Sequence, residues 1–117
     1  MIKDFRDLNV WKTGMQIVRG IYRVTISFPK EERYGLTVQM RRAATSIPSN
    51  IAEGFNRQHN KEYRQFLYVA LGSCGELETH VEVGHMLEYI TGTQHNELLQ
   101  LLKVESKMLN GLINCHK

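Results

Sequence analysis

Apolar residues recur at three- and four-residue spacing along almost the whole chain, and the pattern breaks at only a few short stretches. That period belongs to helices with one buried face, and no run alternates as a half-buried strand would. The first helix is predicted from about Leu8 to Ser27, stopping before Phe28-Pro29 because the residue preceding a proline resists the helical conformation. The second runs from about Leu36 to Asn56 after the Tyr34-Gly35 turn, with Pro48 inside it removing a hydrogen bond to Ala44 and placing a kink there. A third begins near Asn60, read as its cap, and ends near Tyr89 to Thr91; a fourth follows the Thr91-Gly92-Thr93 turn, from about His95 to Asn114. Short connections between long helices imply an all-α, antiparallel up-and-down four-helix bundle, read as one domain over residues 1–117.

The first helix carries more apolar surface than one core-facing stripe requires. Trp11, Met15, Val18 and Tyr22 make one row, and Val10, Ile17, Ile21, Val24 and Phe28 make a second beside it. Together they span roughly 200°, where a single core contact needs about 100° or somewhat more. The surplus is expected to meet another subunit, which makes Trp11, Ile17, Ile21 and Tyr22 interface candidates. The narrow polar side of the same helix aligns Lys12, Gln16, Arg19 and Arg23. Such a line is a solvated face, a strip for RNA phosphates, or a partner for an acidic strip such as Glu78 and Glu82, with His85 close by on the third helix.

The block Gly35 to Gly54 has a different character. Gln39, Arg42, Ser46, Asn50, Glu53 and Arg57 fall in one stripe, beside an apolar stripe of Leu36, Met40, Ala43, Ala44, Ile47, Ile51 and Phe55. Amides and hydroxyls among the charges suggest a partly buried polar network, with Glu76 contributed by the next helix. Its expected role is structural.

Composition narrows the function classes. Residues 1–64 hold twelve Lys or Arg against six Asp or Glu, whereas residues 65–117 hold three against six, so a formal charge of +3 hides a basic half and an acidic half. The basic half can attract phosphate, and opposite halves can attract each other between subunits. Cys74 and Cys115 lack CxxC spacing, no apolar run approaches membrane-spanning length, and the chain opens with charged residues. A reduced, cytoplasmic protein without membrane contact is expected.

Chemistry-bearing patterns are sparse. Glu82-Val83-Gly84-His85 matches the Glu-x-x-His pair of carboxylate di-iron bundles, but those need a second such pair, which this sequence lacks. Glu76 and His80 stand one turn apart, as in an acid–base pair or a plain helix-surface contact. No nucleophile has a recognisable base partner and no glycine-rich phosphate loop follows a strand. No catalytic residue, metal or cofactor is therefore assigned. Gly72, Gly75 and Gly84 each cost a helix about 1 kcal/mol relative to alanine, for which close helix approach is the expected compensation.

Three blocks of sequence carry a resemblance. They are Phe5-x-Asp7-Leu8-x-Val10-Trp11-Lys12 followed by Phe28-Pro29, the stretch from Tyr34-Gly35-Leu36-Thr37 through Arg41-Arg42-Ala43-Ala44 to Asn50-Ile51-Ala52-Glu53-Gly54, and Phe66-Leu67 through Gly72-Ser73 to Glu76-Leu77-Glu78-Thr79. Over about residues 5 to 91 the chain resembles the four-helix-bundle 23S ribosomal RNA intervening-sequence proteins. The resemblance implies a bacterial antiparallel bundle assembling as a homopentameric ring. It also implies similarity to the accessory variability determinant proteins of diversity-generating retroelements, basic pentamers that assist a reverse transcriptase. The resulting expectation is a non-enzymatic, oligomeric RNA-associated protein. Its candidate RNA contacts are Lys12, Arg19, Arg23, Arg41, Lys61 and Arg64, and Glu78 and Glu82 complete the interface candidates. The alternative is a protein-interaction scaffold or an accessory subunit of a nucleic-acid enzyme.

Overall fold

Helices form wherever the 3.6-residue apolar period runs, and each ends where the backbone finds another use for its hydrogen bonds. The computed structural model describes residues 1–117. Helices α1 (Asn9–Thr25), α2 (Leu36–Arg57), α3 (Asn60–Met86) and α4 (Gly92–Cys115) follow in order, with single 3-10 turns at Phe5–Asp7 and Lys30–Glu32 and no strand. Between α1 and α2, Glu32 spans two connections. One carboxylate oxygen accepts the Leu36 N–H at 3.1 Å and the other accepts the Tyr89 hydroxyl at 3.1 Å, so one side chain caps α2 and ties down the α3–α4 turn. Gln58 and Glu88 adopt left-handed backbone angles (φ 65° and 67°) that end α2 and α3.

Two boundaries differ from the sequence expectation. Asn60 is the first helical residue of α3 and not its cap; His59 occupies that position without a side-chain bond. α4 begins at Gly92, three residues earlier than expected, because Thr91 and Gln94 form a reciprocal capping box with bonds of 3.0 and 3.1 Å. A Thr-x-x-Gln spacing carries that signal, and the turn residues around Gly92 mask it. α2 continues through Pro48, which lacks the N–H that would bond Ala44 and lies buried in the bundle.

α1 packs against α2 and α4, and α3 packs against the same two, so α1 and α3 occupy diagonal corners. The long axis of 43 Å matches the length of α3, the longest element. Ile17 and Ile21 of α1, Met40, Ile47 and Ile51 of α2, Leu67 and Leu77 of α3, and Leu102 and Leu109 of α4 are fully buried in one continuous core. Each contributes about 1.5–3 kcal/mol by leaving water. No helix is long and apolar enough to cross a membrane.

The helix glycines divide into two kinds. Gly84 faces the Ile90 side chain, and at Gly54 an added Cβ would stand 2.8 Å from Phe66 Cβ and 3.2 Å from the Tyr63 carbonyl oxygen. Gly72 and Gly75 have no atom within 4 Å of that position, so the close approach expected for them from sequence does not occur within the chain. Gly72→Ala and Gly75→Ala should each stabilise the isolated fold by about 1 kcal/mol, while Gly54→Ala should destabilise it. Chemical denaturation of the three variants checks the opposite signs.

Candidate nucleic-acid interface

α1 turns its second apolar row inward and leaves the first outside. Val10, Ile17, Ile21 and Val24 are buried, whereas Trp11 and Val18 are half-buried and Met15 and Tyr22 remain 43% and 41% exposed. Ile17 and Ile21 therefore leave the set of subunit-interface candidates, because the bundle consumes them itself. Trp11 keeps an outward edge while its ring meets Phe5 edge-on, with centroids 5.5 Å apart.

Beside that row, Lys12, Arg19 and Arg23 are exposed along α1, spread over about 16 Å of helix axis. The side-chain ion pairs of the chain are Arg6–Asp4, Arg57–Glu53, His80–Glu76 and His95–Glu82, so none of the three has a carboxylate partner. Lys12 and Arg19 flank a shallow groove with Trp11, Met15, Gln16 and Val18. Arg23 lines a second groove between α1 and α4, which also contains Gln94 and Glu97.

The other basic candidates behave differently. Arg41 Nε donates to Thr25 Oγ1 at 2.9 Å, and its guanidinium lies over the Tyr22 ring at 4.4 Å. Thr25 passes its own proton to the Ile21 carbonyl at 2.7 Å, so this arginine clasps α2 to α1. Arg64 donates to the His116 carbonyl at 2.6 Å and ties α3 to the end of α4. Both are committed within the fold. Lys61 is exposed but belongs to α3, diagonal to α1, and is not part of the α1 strip.

The polar stripe of α2 is smaller than expected. Ser46 and Ser73 hydroxyls share a 2.8 Å bond between α2 and α3, and Asn50 Nδ2 donates to the Ser46 carbonyl and hydroxyl at 2.7 and 2.9 Å. Gln39, Arg42, Glu53 and Arg57 are exposed, and the Glu53–Arg57 contact is a surface pair at 3.9 Å. Glu76 points to His80 at 3.2 Å and does not join the network. Ser73 takes the place assigned to Glu76. Its hydroxyl reaches a groove position where a carboxylate would have to shed water.

Of the acidic candidates, Glu78 is half-buried and Glu82 is exposed, its carboxylate bonded to His95 Nε2 at 2.8 Å. They lie on α3, on the opposite corner from the basic strip.

Residues 6–111 match the family model described as 23S rRNA-intervening sequence protein. The chain belongs to that family. Comparison with curated proteins finds no match. Among solved structures, the fold is similar to a crystal structure of a protein with unknown function from the S23 ribosomal protein family of Bacteroides thetaiotaomicron. The TM-score is 0.81 at 24% identity, over 90% of this chain and 95% of that one.

This intervening-sequence protein also buries a carboxylate that the sequence reading passed over. Glu105 is fully buried in α4, and neither carboxylate oxygen has a hydrogen-bond partner. It occupies the stripe Leu98, Leu102, Glu105, Leu109, Ile113, so a glutamate at a core register position was the available signal. Burial pushes its carboxyl up to about 8. The nearby Cys74 thiol is pushed up to about 12, chiefly by burial and further by the Glu105 charge, which keeps it a neutral thiol.

Two outcomes follow for stability. The unfolded Glu105 loses its proton near pH 4.5 while the folded one keeps it to about pH 8, so between those values rising pH costs about 1.4 kcal/mol per unit. Glu105→Gln should flatten that slope, leaving stability near pH 4.5 little changed and raising it at pH 8 and above. Parallel denaturation midpoints of variant and parent across this range would contradict it. In the polar stripe, Ser73→Ala should cost about 1–3 kcal/mol and Glu53→Ala under about 1 kcal/mol, read by urea denaturation.

Proposed function

We propose that the protein is a non-enzymatic, oligomeric RNA-associated protein whose contact surface is the outer edge of α1. The observation that carries this reading is the row Lys12, Arg19 and Arg23, three exposed cations without an intramolecular carboxylate. Each such cation can release a condensed counterion from a phosphate chain. The two aromatic rings beside them are already engaged, Trp11 edge-on with Phe5 and Tyr22 under Arg41, so binding is read as backbone contact with little base preference. Three charges give a single chain weak affinity. Repetition in a homo-oligomer, for which the family resemblance favours a pentamer, multiplies the contacts without changing their kind.

A second reading has its own support. The basic edge of α1 and the acidic edge of α3, with Glu78 and Glu82, stand at diagonal corners, which suits a heterologous contact that closes into a ring. In that case the cations are used between subunits and the protein is a scaffold or an accessory subunit of a nucleic-acid enzyme. Neither reading requires a nucleophile.

Arg19→Glu/Arg23→Glu separates the two. On the RNA reading, the variant keeps the parent's mass by light scattering and loses affinity for single-stranded RNA at least about tenfold at low salt, while parent affinity falls as salt rises. Loss of the oligomer in the variant would favour the scaffold, as would parent RNA binding that is absent at low salt.

A further inference from the structure

We infer that Glu82, His85 and His95 form a binding site for one divalent ion of a late transition metal, of the zinc or copper class. The inference is independent of RNA binding, because the site lies at the α3–α4 hairpin and uses none of the α1 cations. Glu82 and His85 are three residues apart on α3 and so share a face. His95 comes from the first turn of α4. Nothing in the sequence joins His95 to the Glu-x-x-His pair; the turn between the helices does.

The three side chains are already gathered. His95 Nε2 and Glu82 Oε1 are 2.8 Å apart, the His85 and His95 rings stack with centroids 4.1 Å apart and planes 17° from parallel, and one ligand atom from each residue lies within 4.8 Å of the others. To bind an ion at the roughly 2.0–2.2 Å such bonds need, the two rings turn out of their stack so that one in-plane nitrogen of each converges with the Glu82 carboxylate. The donor set selects the ion. Two imidazoles with one carboxylate suit zinc, copper or nickel, whereas magnesium and calcium require mostly oxygen. Three protein ligands leave a position for water, as at a surface site with Glu82 and His85 exposed.

The backbone holds this arrangement before any ion arrives. The Thr91–Gln94 capping box fixes where α4 starts, and His95 N–H donates to the Thr91 carbonyl at 2.9 Å. At the other end of the turn, the Tyr89 N–H donates to the Gly84 carbonyl at 2.8 Å, and Ile90 is buried against Gly84. The ligands therefore sit on two helix ends whose separation is set by packing, which lowers the ordering cost of binding. An ion there would pin α3 to α4 and stabilise the folded state by mass action.

Zinc titration of the untagged full chain tests the site, with Cys115→Ser as the parent because Cys115 is an exposed thiol. Calorimetry should show one ion per chain, with affinity lowered at least about tenfold by His85→Gln and by His95→Gln, and unchanged by His80→Gln on the same α3. Zinc should raise the thermal midpoint of the parent and not of His95→Gln, and the cobalt-loaded parent should show visible absorption bands that the same variant lacks. Circular dichroism confirms that each variant keeps its helices. Absence of zinc binding to the parent overturns the assignment, and so does binding that survives loss of either His85 or His95.

Discussion

At Gly14 of α1 two other helices, α2 and α4, come within van der Waals reach of the place a Cβ would take, and the orientation of α1 depends on that approach. A Cβ there would stand 3.0 Å from the Glu105 carboxylate, 3.4 Å from Ile47 and 3.5 Å from Pro48. Without a side chain, α1 sinks between α2 and α4 until Ile17, Ile21 and Val24 are covered. Helix geometry then decides the rest: residues about half a turn away must face outward, and these include Lys12, Arg19 and Arg23. The Glu105 carboxylate lies fully buried against this contact, and burial is what raises its proton affinity. One close contact thus bears on both the exposed cations and the buried carboxyl.

The fold was largely legible because it rests on periodicity and turns, both of which are local. The split of α1 into an inner and an outer apolar row was half legible. Two rows can be seen in sequence, but which one faces the core depends on where α2 and α4 press, and a wheel projection carries no such information. The stripe from Gln39 to Arg57 illustrates a different limit. Spacing placed its members on one face, yet only Ser46 and Asn50 lie deep enough in the groove against α3 to need partners, and Ser73 met that need. Among the basic candidates, Arg41 and Arg64 were lost to contacts sixteen and fifty-two residues away along the chain. Glu105 could have been seen on the α4 stripe. The His95 contribution to the Glu82–His85 pair could not, since it depends on the angle at which two helices leave a turn.

The charge asymmetry of the sequence becomes a spatial one. Most basic residues of the first half lie on or beside the α1–α2 hairpin, with only Lys61 and Arg64 on α3, and the acidic residues of the second half lie on α3, α4 and the turn between them. The bundle is thereby polarised across its short axis. Its diagonal corners differ in sign, with α1 basic and α3 acidic along its exposed edge. A body with unlike edges attracts copies of itself edge to edge and attracts phosphate on one edge only, and both tendencies weaken as salt screens them. The two proposed uses of α1 therefore draw on the same cations.

The two buried groups best known for reactivity, Cys74 and Glu105, sit in environments that suppress it. A thiol acts as a nucleophile through its thiolate, and burial beside Glu105 holds Cys74 far on the thiol side. A carboxyl acts as a general acid or base only where a substrate proton can reach it, and Glu105 has neither a polar partner nor an opening to solvent. In the core, then, ionisable groups serve packing at a cost in stability. The groups proposed to bind ligands lie at the surface instead: imidazoles and a carboxylate at the α3–α4 turn, and cations along α1. Both proposed functions thus lie on the edges of the bundle, which the packed core holds in place.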